Sequence, residues 1–322
     1  MRTIFLNATE SFEECTDILQ AAQMLRNGDL VAFPTETVYG LGADAFNAES
    51  IEKIFIAKGR PSDNPLIVHV ASFQDIELVG EINSRVLKLA EKFMPGPLTI
   101  IINSNDKIPL IARAGLPTVG VRIPNHKVAY ELLRNSGPLV GPSANLSTKP
   151  SPTNASHVLN DLNGRINGIL NGGECSMGIE STIIDTTTKE LVLLRPGIIS
   201  LEEIESTLQE KVVFSNNGDK FPKAPGMKYK HYSPKTKVSL IFDDEEIPKE
   251  KLNRIVITTD KHKPKFPNET IFNLSESSLY KYLRLADDLR MNEVIIYTQK
   301  NEITIGLLDR ILKAGGRYSR EN

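Results

Sequence analysis

The stretch Leu30-Val31-Ala32-Phe33-Pro34-Thr35-Glu36-Thr37-Val38-Tyr39-Gly40-Leu41-Gly42 decides how this chain is read. Its first four residues are apolar, which suits a buried strand, and Pro34 ends it. Hydroxyls and glycines follow at once. At the carboxyl edge of a sheet they let backbone and side chains approach a ligand, although an ordinary strand-to-loop turn has the same composition. Upstream, Ser11-Phe12-Glu13-Glu14 has the form of a capping box, with a helix through Ile18, Leu19, Ala22 and Leu25 to Gly28. Downstream, Ser50 is expected to cap a helix through Ile51, Ile54 and Phe55 to Lys58.

Further strands are expected at 3–6, 66–70, 98–102, 119–123, 139–140, 182–184 and 191–194, with helices at 85–93 and 128–134. This alternation predicts an α/β domain over residues 1–210, built around a largely buried sheet. Residues 211–237 break the pattern with Asn216-Asn217-Gly218, Pro222, Pro225-Gly226 and Pro234. The alternation resumes with strands at 238–242, 254–258 and 293–298 and helices at 277–290 and 303–314, a small α/β domain over 238–322.

Composition narrows the classes. The 322 residues are 40% hydrophobic and 24% charged, an ordinary globular balance. No apolar run approaches the roughly 18 residues of a membrane span, and the acidic start, with Glu10, Glu13 and Glu14, does not read as a signal peptide. Two cysteines, Cys15 and Cys175, exclude a disulfide framework and a cysteine-built zinc site, so a cytoplasmic setting is expected. The net charge of −2 conceals an asymmetry: residues 1–210 carry 17 Lys+Arg against 25 Asp+Glu, whereas 211–237 carry seven lysines and one acid. That segment reads as a solvated linker or as one that meets an anion.

Several catalytic signatures are missing: a Walker-type phosphate loop, an early G-x-G-x-x-G, paired histidines and a G-x-S-x-G elbow. Polar clusters at strand ends are present instead. Lys58-Gly59-Arg60-Pro61 leaves a helix; in an extended exit Lys58 and Arg60 project together, as a cradle for a phosphate or as a basic surface loop. Asn64-Pro65 follows, then His69 within a strand, as a ligand contact or a core histidine. Arg122 lies in the apolar strand Val119-Gly120-Val121-Arg122-Ile123, so it needs an anionic ligand or a structural salt bridge. Gly141-Pro142-Ser143-Ala144-Asn145-Leu146-Ser147 and Gly178-Ile179-Glu180-Ser181-Thr182 offer hydroxyls and amides, Arg195-Pro196-Gly197 closes a strand, and the segment from Pro225 to Pro234 mixes cations with aromatics. Together they describe a cationic, hydroxyl-rich site without a covalent nucleophile, suited to positioning and charge neutralisation at phosphorus.

In this order the clusters resemble the YrdC-type threonylcarbamoyl-adenylate synthase family in its long, two-domain form, with motifs matching from Pro34 to Pro234. One departure is Thr148, where many members have glycine. The resemblance implies a twisted, open, mixed α/β sheet with helices forming a large cavity, followed by a Rossmann-like unit. It implies that L-threonine, bicarbonate (or CO2) and ATP give L-threonylcarbamoyl-AMP and pyrophosphate, for a separate complex that modifies the adenosine beside the anticodon of transfer RNA. Any contact with transfer RNA itself would be weak or indirect.

By the same resemblance Lys58 and Arg60 hold ATP phosphates and stabilise the leaving pyrophosphate. Asn64, Thr118, Ser143, Asn145 and Ser151 line the nucleotide path, and Arg195 and Tyr232 contact the nucleotide. Thr35 or Thr37, His69, Arg122, Ser143 and Ser181 hold threonine, with Arg122 on its carboxylate. Mg²⁺ arrives on the ATP phosphates, so no protein metal site is expected. The 211–237 segment is expected to close over the cavity as a lid.

A nucleic-acid-binding module sits poorly with the acidic main domain. A carbamoyltransferase of hydrogenase maturation shares this domain but carries cysteine-rich zinc modules. An inert scaffold requires each buried cation to have an acidic partner. The preferred reading requires Lys58, Arg60, Arg122 and Arg195 to gather in one hollow.

Overall fold

The computed structural model describes residues 2–9, 15–215, 232–242 and 253–316. The expected capping box at 11–14 and the stretch 216–231, which holds most of the expected lid, lie outside the described residues.

The first part runs β1 (Ile4–Asn7), α1 (Thr16–Arg26), β2 (Val31–Phe33), β3 (Gly40–Asp44), α2 (Ala48–Lys58), β4 (Ile67–His69), α3 (Ser84–Phe93), β5 (Leu98–Asn103) and β6 (Thr118–Arg122). It continues with α4 (Lys127–Ser136), β7 (Leu139–Val140), α5 (Ala155–Leu162), β8 (Gly168–Asn171), β9 (Thr182–Asp185), β10 (Leu191–Arg195), α6 (Leu201–Leu208) and β11 (Val212–Phe214). The second part holds β12 (Lys237–Phe242), β13 (Arg254–Thr258), β14 (Thr270–Asn273), α7 (Leu279–Asp288), β15 (Glu293–Thr298) and α8 (Ile305–Ala314).

The strands of the first part form one open mixed sheet in the order β1-β8-β2-β3-β7-β4-β6-β5-β9-β10-β11. The second part is a four-stranded sheet, β12-β15-β13-β14, paired in parallel throughout. Strand β11 pairs with β10, so the first sheet continues past the expected boundary at 210, and Lys237 opens β12 rather than closing the linker. Among the described residues no helix is long and apolar enough to cross a membrane.

The stretch quoted first folds as a hairpin. β2 and β3 are antiparallel, with Phe33 opposite Gly40, and the polar residues between them form the loop. The return strand β3 was not expected, because its glycines read as turn. Their reason is steric: a Cβ on Gly40 or Gly42 would lie 3.1 Å from the Phe33 ring. Helix α2 also differs from expectation. Asn47 caps it, accepting from the Ser50 amide, while the Ser50 hydroxyl turns inward to Gly28 O.

Side-chain alternation places the core and the site on opposite faces of the central strands. Val68 of β4, Ile100 and Ile102 of β5, Val119 and Val121 of β6 and Ile184 of β9 join the main core, with Ile51 and Ile54 of α2 and Leu89 of α3. The alternate residues, Ile67, His69, Thr99, Ile101, Arg122 and Ile183, point the other way. There Ile67, Ile101, Ile183 and Leu194 form a small apolar cluster, of which Ile67 lines the candidate site.

Candidate active site

Eight chain segments converge on a half-open cleft of about 580 Å³, its open mouth included. Thr35, Thr37 and Val38 enter from the β2–β3 loop, Arg60 from the exit of α2, and Ile67 and His69 from β4. Arg122 ends β6, beside His69 in register; Gly141, Pro142 and Ser143 follow β7; Glu180 and Ser181 precede β9; Arg195 ends β10. Tyr232 arrives from the end of the linker segment and is buried.

One corner is built around Arg122. Its Nη1 donates to Thr37 Oγ1 at 2.9 Å and its Nε to Gly96 O at 3.1 Å. Its Nη2 lies 2.7 Å from Glu36 Oε2, both side chains being 4% exposed. Of the two readings open for Arg122, the structure contains the salt bridge with Glu36, and the arginine also lines the cleft. In the sequence Glu36 is one residue of a polar run, and nothing local marks Arg122, 86 positions on, as its partner. Thr35 is a loop builder, its Oγ1 accepting from the amides of Thr37 and Val38 at 3.2 Å each and donating to Val38 O at 2.6 Å.

His69 is 4% exposed, edge-on to Phe33, and its Nδ1 has no hydrogen-bond partner. Burial, reinforced by the Arg122 charge, pushes its pKa from 6.5 down to about 3. The folded chain therefore keeps a neutral imidazole while the unfolded chain takes up a proton below about pH 6.5. This contribution to stability is full above that pH and is lost as pH falls toward about 3. Between pH 7 and pH 5 the loss from His69 is expected to be about 2 kcal/mol. Urea unfolding at both pH values, compared between wild type and His69→Gln, measures it. An equal pH loss in the two proteins would contradict the assignment.

A second corner joins β9 and β10. Ser181 Oγ lies 2.7 Å from Thr99 Oγ1 and accepts from Arg195 Nη2 at 3.1 Å, while Arg195 Nε donates to Ser181 O at 3.0 Å. Glu180 beside it is buried. Burial raises its pKa, but Arg310 and then Arg195 outweigh that and hold it below the usual carboxylate range.

The two cations after α2 part company. Lys58 is still helical, and Gly59 is left-handed with φ 61°, so the expected extended exit does not occur. Arg60 reaches the cleft, its Nη2 donating to Asn64 O at 3.1 Å and Pro65 O at 3.2 Å. Lys58 does not line the cleft. Its Nζ donates to Ser143 O and, at 2.6 Å, to Asn145 O, pinning the loop from beneath. Burial, then Arg60, lowers its pKa well below the ordinary amine value.

Nine of the expected site residues thus line one cleft: Thr35, Thr37, Arg60, His69, Arg122, Ser143, Ser181, Arg195 and Tyr232. Lys58, Asn64, Thr118, Asn145 and Ser151 stand behind or away from its wall. Asn145 Nδ2 is spent on Leu146 O and Lys149 O, and Ser151 Oγ donates to Glu180 Oε1. Asn64 is fully buried with neither side-chain polar atom bonded. Thr118 shares the Arg122 face but begins the strand that Arg122 ends.

Thr148, the departure noted above, has φ 77°, a left-handed conformation costly for a β-branched residue. It matters because Thr148 O accepts from the Ser233 amide at 2.9 Å, fastening the residue after Tyr232. Thr148→Gly is expected to raise the unfolding free energy by about 0.5–1 kcal/mol, since relief of strain exceeds the added chain entropy of glycine. A urea titration showing lost stability would contradict the strain.

Comparison with known proteins agrees with this geometry. A family profile described as telomere recombination matches residues 23–197, and one described as the C-terminal domain of threonylcarbamoyl-AMP synthase matches residues 199–316. The chain is 39% identical to the threonylcarbamoyl-AMP synthase of Pyrococcus abyssi, over 98% of each chain. It is also 39% identical to that of Bacillus subtilis, over 94% of each. The crystal structure of P. abyssi Sua5 complexed with L-threonine superposes with a TM-score of 0.86 at 37% identity, over 98% of each chain. With both parts matched and relatives aligned nearly end to end, this chain belongs to the two-domain threonylcarbamoyl-AMP synthase family.

Proposed function

We propose that this chain condenses L-threonine, bicarbonate or CO2, and ATP into L-threonylcarbamoyl-AMP and pyrophosphate. The observation that carries the reading is the cleft itself, where Arg60, Arg122 and Arg195 from three separate segments meet buried hydroxyls and one neutral histidine. Its chemistry suits anions brought close together in a partly dry site.

In this reaction the threonine amine adds to the carbon of CO2 and loses a proton, giving a carbamate. A carbamate oxygen attacks the α-phosphorus, the bond to the β-phosphate breaks, and pyrophosphate leaves. Thr37, His69, Arg122 and Ser181 form the corner for the amino acid. With Glu36 already on Arg122, that arginine acts chiefly by fixing the Thr37 hydroxyl. The open Nδ1 of His69 suits the threonine hydroxyl or amine. Arg60, Ser143, Arg195 and Tyr232 face the nucleotide and its phosphates. Lys58 contributes by setting the Ser143–Asn145 carbonyls, not by touching phosphate.

Mg²⁺ would come with the ATP and neutralise phosphate charge. Among the described residues no three of His, Cys, Asp and Glu converge as a cage, and Glu36 and Glu180 are each held by an arginine, so phosphate oxygens and water are the fitting ligands. The mixed anhydride is handed to a separate complex that modifies the adenosine beside the anticodon of transfer RNA, in the cytoplasm, where free thiols such as Cys15 and Cys175 persist. The test is incubation with ATP, Mg²⁺, threonine and labelled bicarbonate. Labelled threonylcarbamoyl-AMP is expected, and its absence with folded protein would overturn the reading.

A further inference from the structure

Two side chains of the small domain form part of the wall behind the cleft. Arg310 on α8 is completely buried. Its Nε donates to Glu180 Oε2 at 2.8 Å, its Nη2 to Glu180 O at 3.3 Å and its Nη1 to Pro196 O at 2.9 Å. Tyr280 on α7 donates from its hydroxyl to the same Oε2 at 3.0 Å. Ser151 donates to Oε1, so Glu180 has both oxygens engaged, one of them from the small domain.

The contact is built for close approach. A Cβ on Gly306, the second residue of α8, would lie 2.4 Å from Gly197 O, and a Cβ on Gly197 would lie 2.4 Å from the Thr182 amide nitrogen. Only hydrogen fits at either position, and this draws α8 against the β9 and β10 ends that carry Ser181 and Arg195. The apolar seam is continuous as well: Val38 and Ile179 of the large domain pack with Leu279, Tyr280, Leu307 and Ile311 of the small one. Tyr232 stacks on Tyr280 at 5.3 Å, with the Arg310 guanidinium 5.4 Å from its ring.

We propose that Arg310 is a positioning residue of the ATP site that acts through Glu180, cancelling the carboxylate charge that would otherwise face the incoming phosphates. The small domain is thereby part of the active site. This inference rests on the reading of the cleft as an ATP site. A buried carboxylate stripped of its cation repels another anion strongly, because little water screens the pair. Removing the carboxylate as well removes the repulsion; a purely structural role for Arg310 would show that coupling in stability and leave the ATP Kd of the folded protein unchanged.

The test is a double-mutant cycle on the full chain, read as the Kd for ATP with Mg²⁺. Arg310→Met is expected to weaken ATP binding about tenfold or more, and Arg310→Lys, which keeps the charge, to stay within about threefold of wild type. In the Glu180→Gln background, Arg310→Met is expected to change the Kd less than about threefold. An equal loss in both backgrounds, or wild-type affinity in Arg310→Met, would overturn the proposal. If Arg310→Met does not fold, the double variant decides: a folded, ATP-binding double supports the charge argument, and an unfolded double overturns it. Failure of the functional reading is distinct, because then the wild-type chain itself neither binds ATP nor forms the adenylate.

Discussion

Arg60→Ala is expected to lower threonine- and bicarbonate-dependent pyrophosphate release by about 10²- to 10³-fold, the usual effect of deleting one donor aimed at developing charge. The left-handed Gly59 ends α2 and turns the chain, so that Arg60 lines the cleft while Lys58 stays beneath the Ser143–Asn145 loop. Carbonyls of Asn64 and Pro65 hold one end of the guanidinium and so preset its position. Arg60→Lys keeps the charge and loses the fork, and is expected to recover only part of the rate. The assay is pyrophosphate release at saturating threonine, together with the ATP Kd. A wild-type rate in Arg60→Ala would remove Arg60 from the reaction.

Arg122→Met is expected to destabilise the fold by about 3–5 kcal/mol, because it strands the buried Glu36 carboxylate without its cation. Adding Glu36→Gln is expected to restore most of that loss. Threonine affinity is expected to stay low in the double variant, since the Thr37 hydroxyl has still lost the Arg122 donor. Urea unfolding at pH 7 and threonine calorimetry separate the two effects. A cost below about 1 kcal/mol for Arg122→Met would show that the Glu36 pair is not the buried contact described.

The strands that form the centre of the large sheet were legible because each is a short apolar run bounded by proline, glycine or polar residues. β2, β4, β5, β6, β9 and β10 all fall where that pattern places them, within a residue or two. β3, β8, β14 and α5 were not legible. β3 has two glycines among its five residues, kept small by the Phe33 ring, and the others are short segments whose polar residues mask any period. The site motifs were readable for a related reason: each is a local run in which hydroxyl, glycine and cation follow one another after a strand.

Pairing was out of reach. Asn47 rather than Ser50 caps α2 because the helix begins earlier than its apolar face suggests. Lys58 and Arg60, adjacent but one in sequence, separate because a single left-handed glycine turns the chain between them.

The order of residues was therefore enough to establish the α/β class, the two-part layout and the set of segments that bear the chemistry, since these depend on side-chain type and short-range spacing. Only the folded chain settled which charges meet. Glu36 reaches Arg122 because β2 and β6 end beside one cleft, and Glu180 reaches Arg310 because two glycines let α8 press against a loop more than a hundred residues away. A buried charge is decided by what lies within a few ångströms of it, and that distance is a property of packing, to which neighbours along the chain contribute almost nothing.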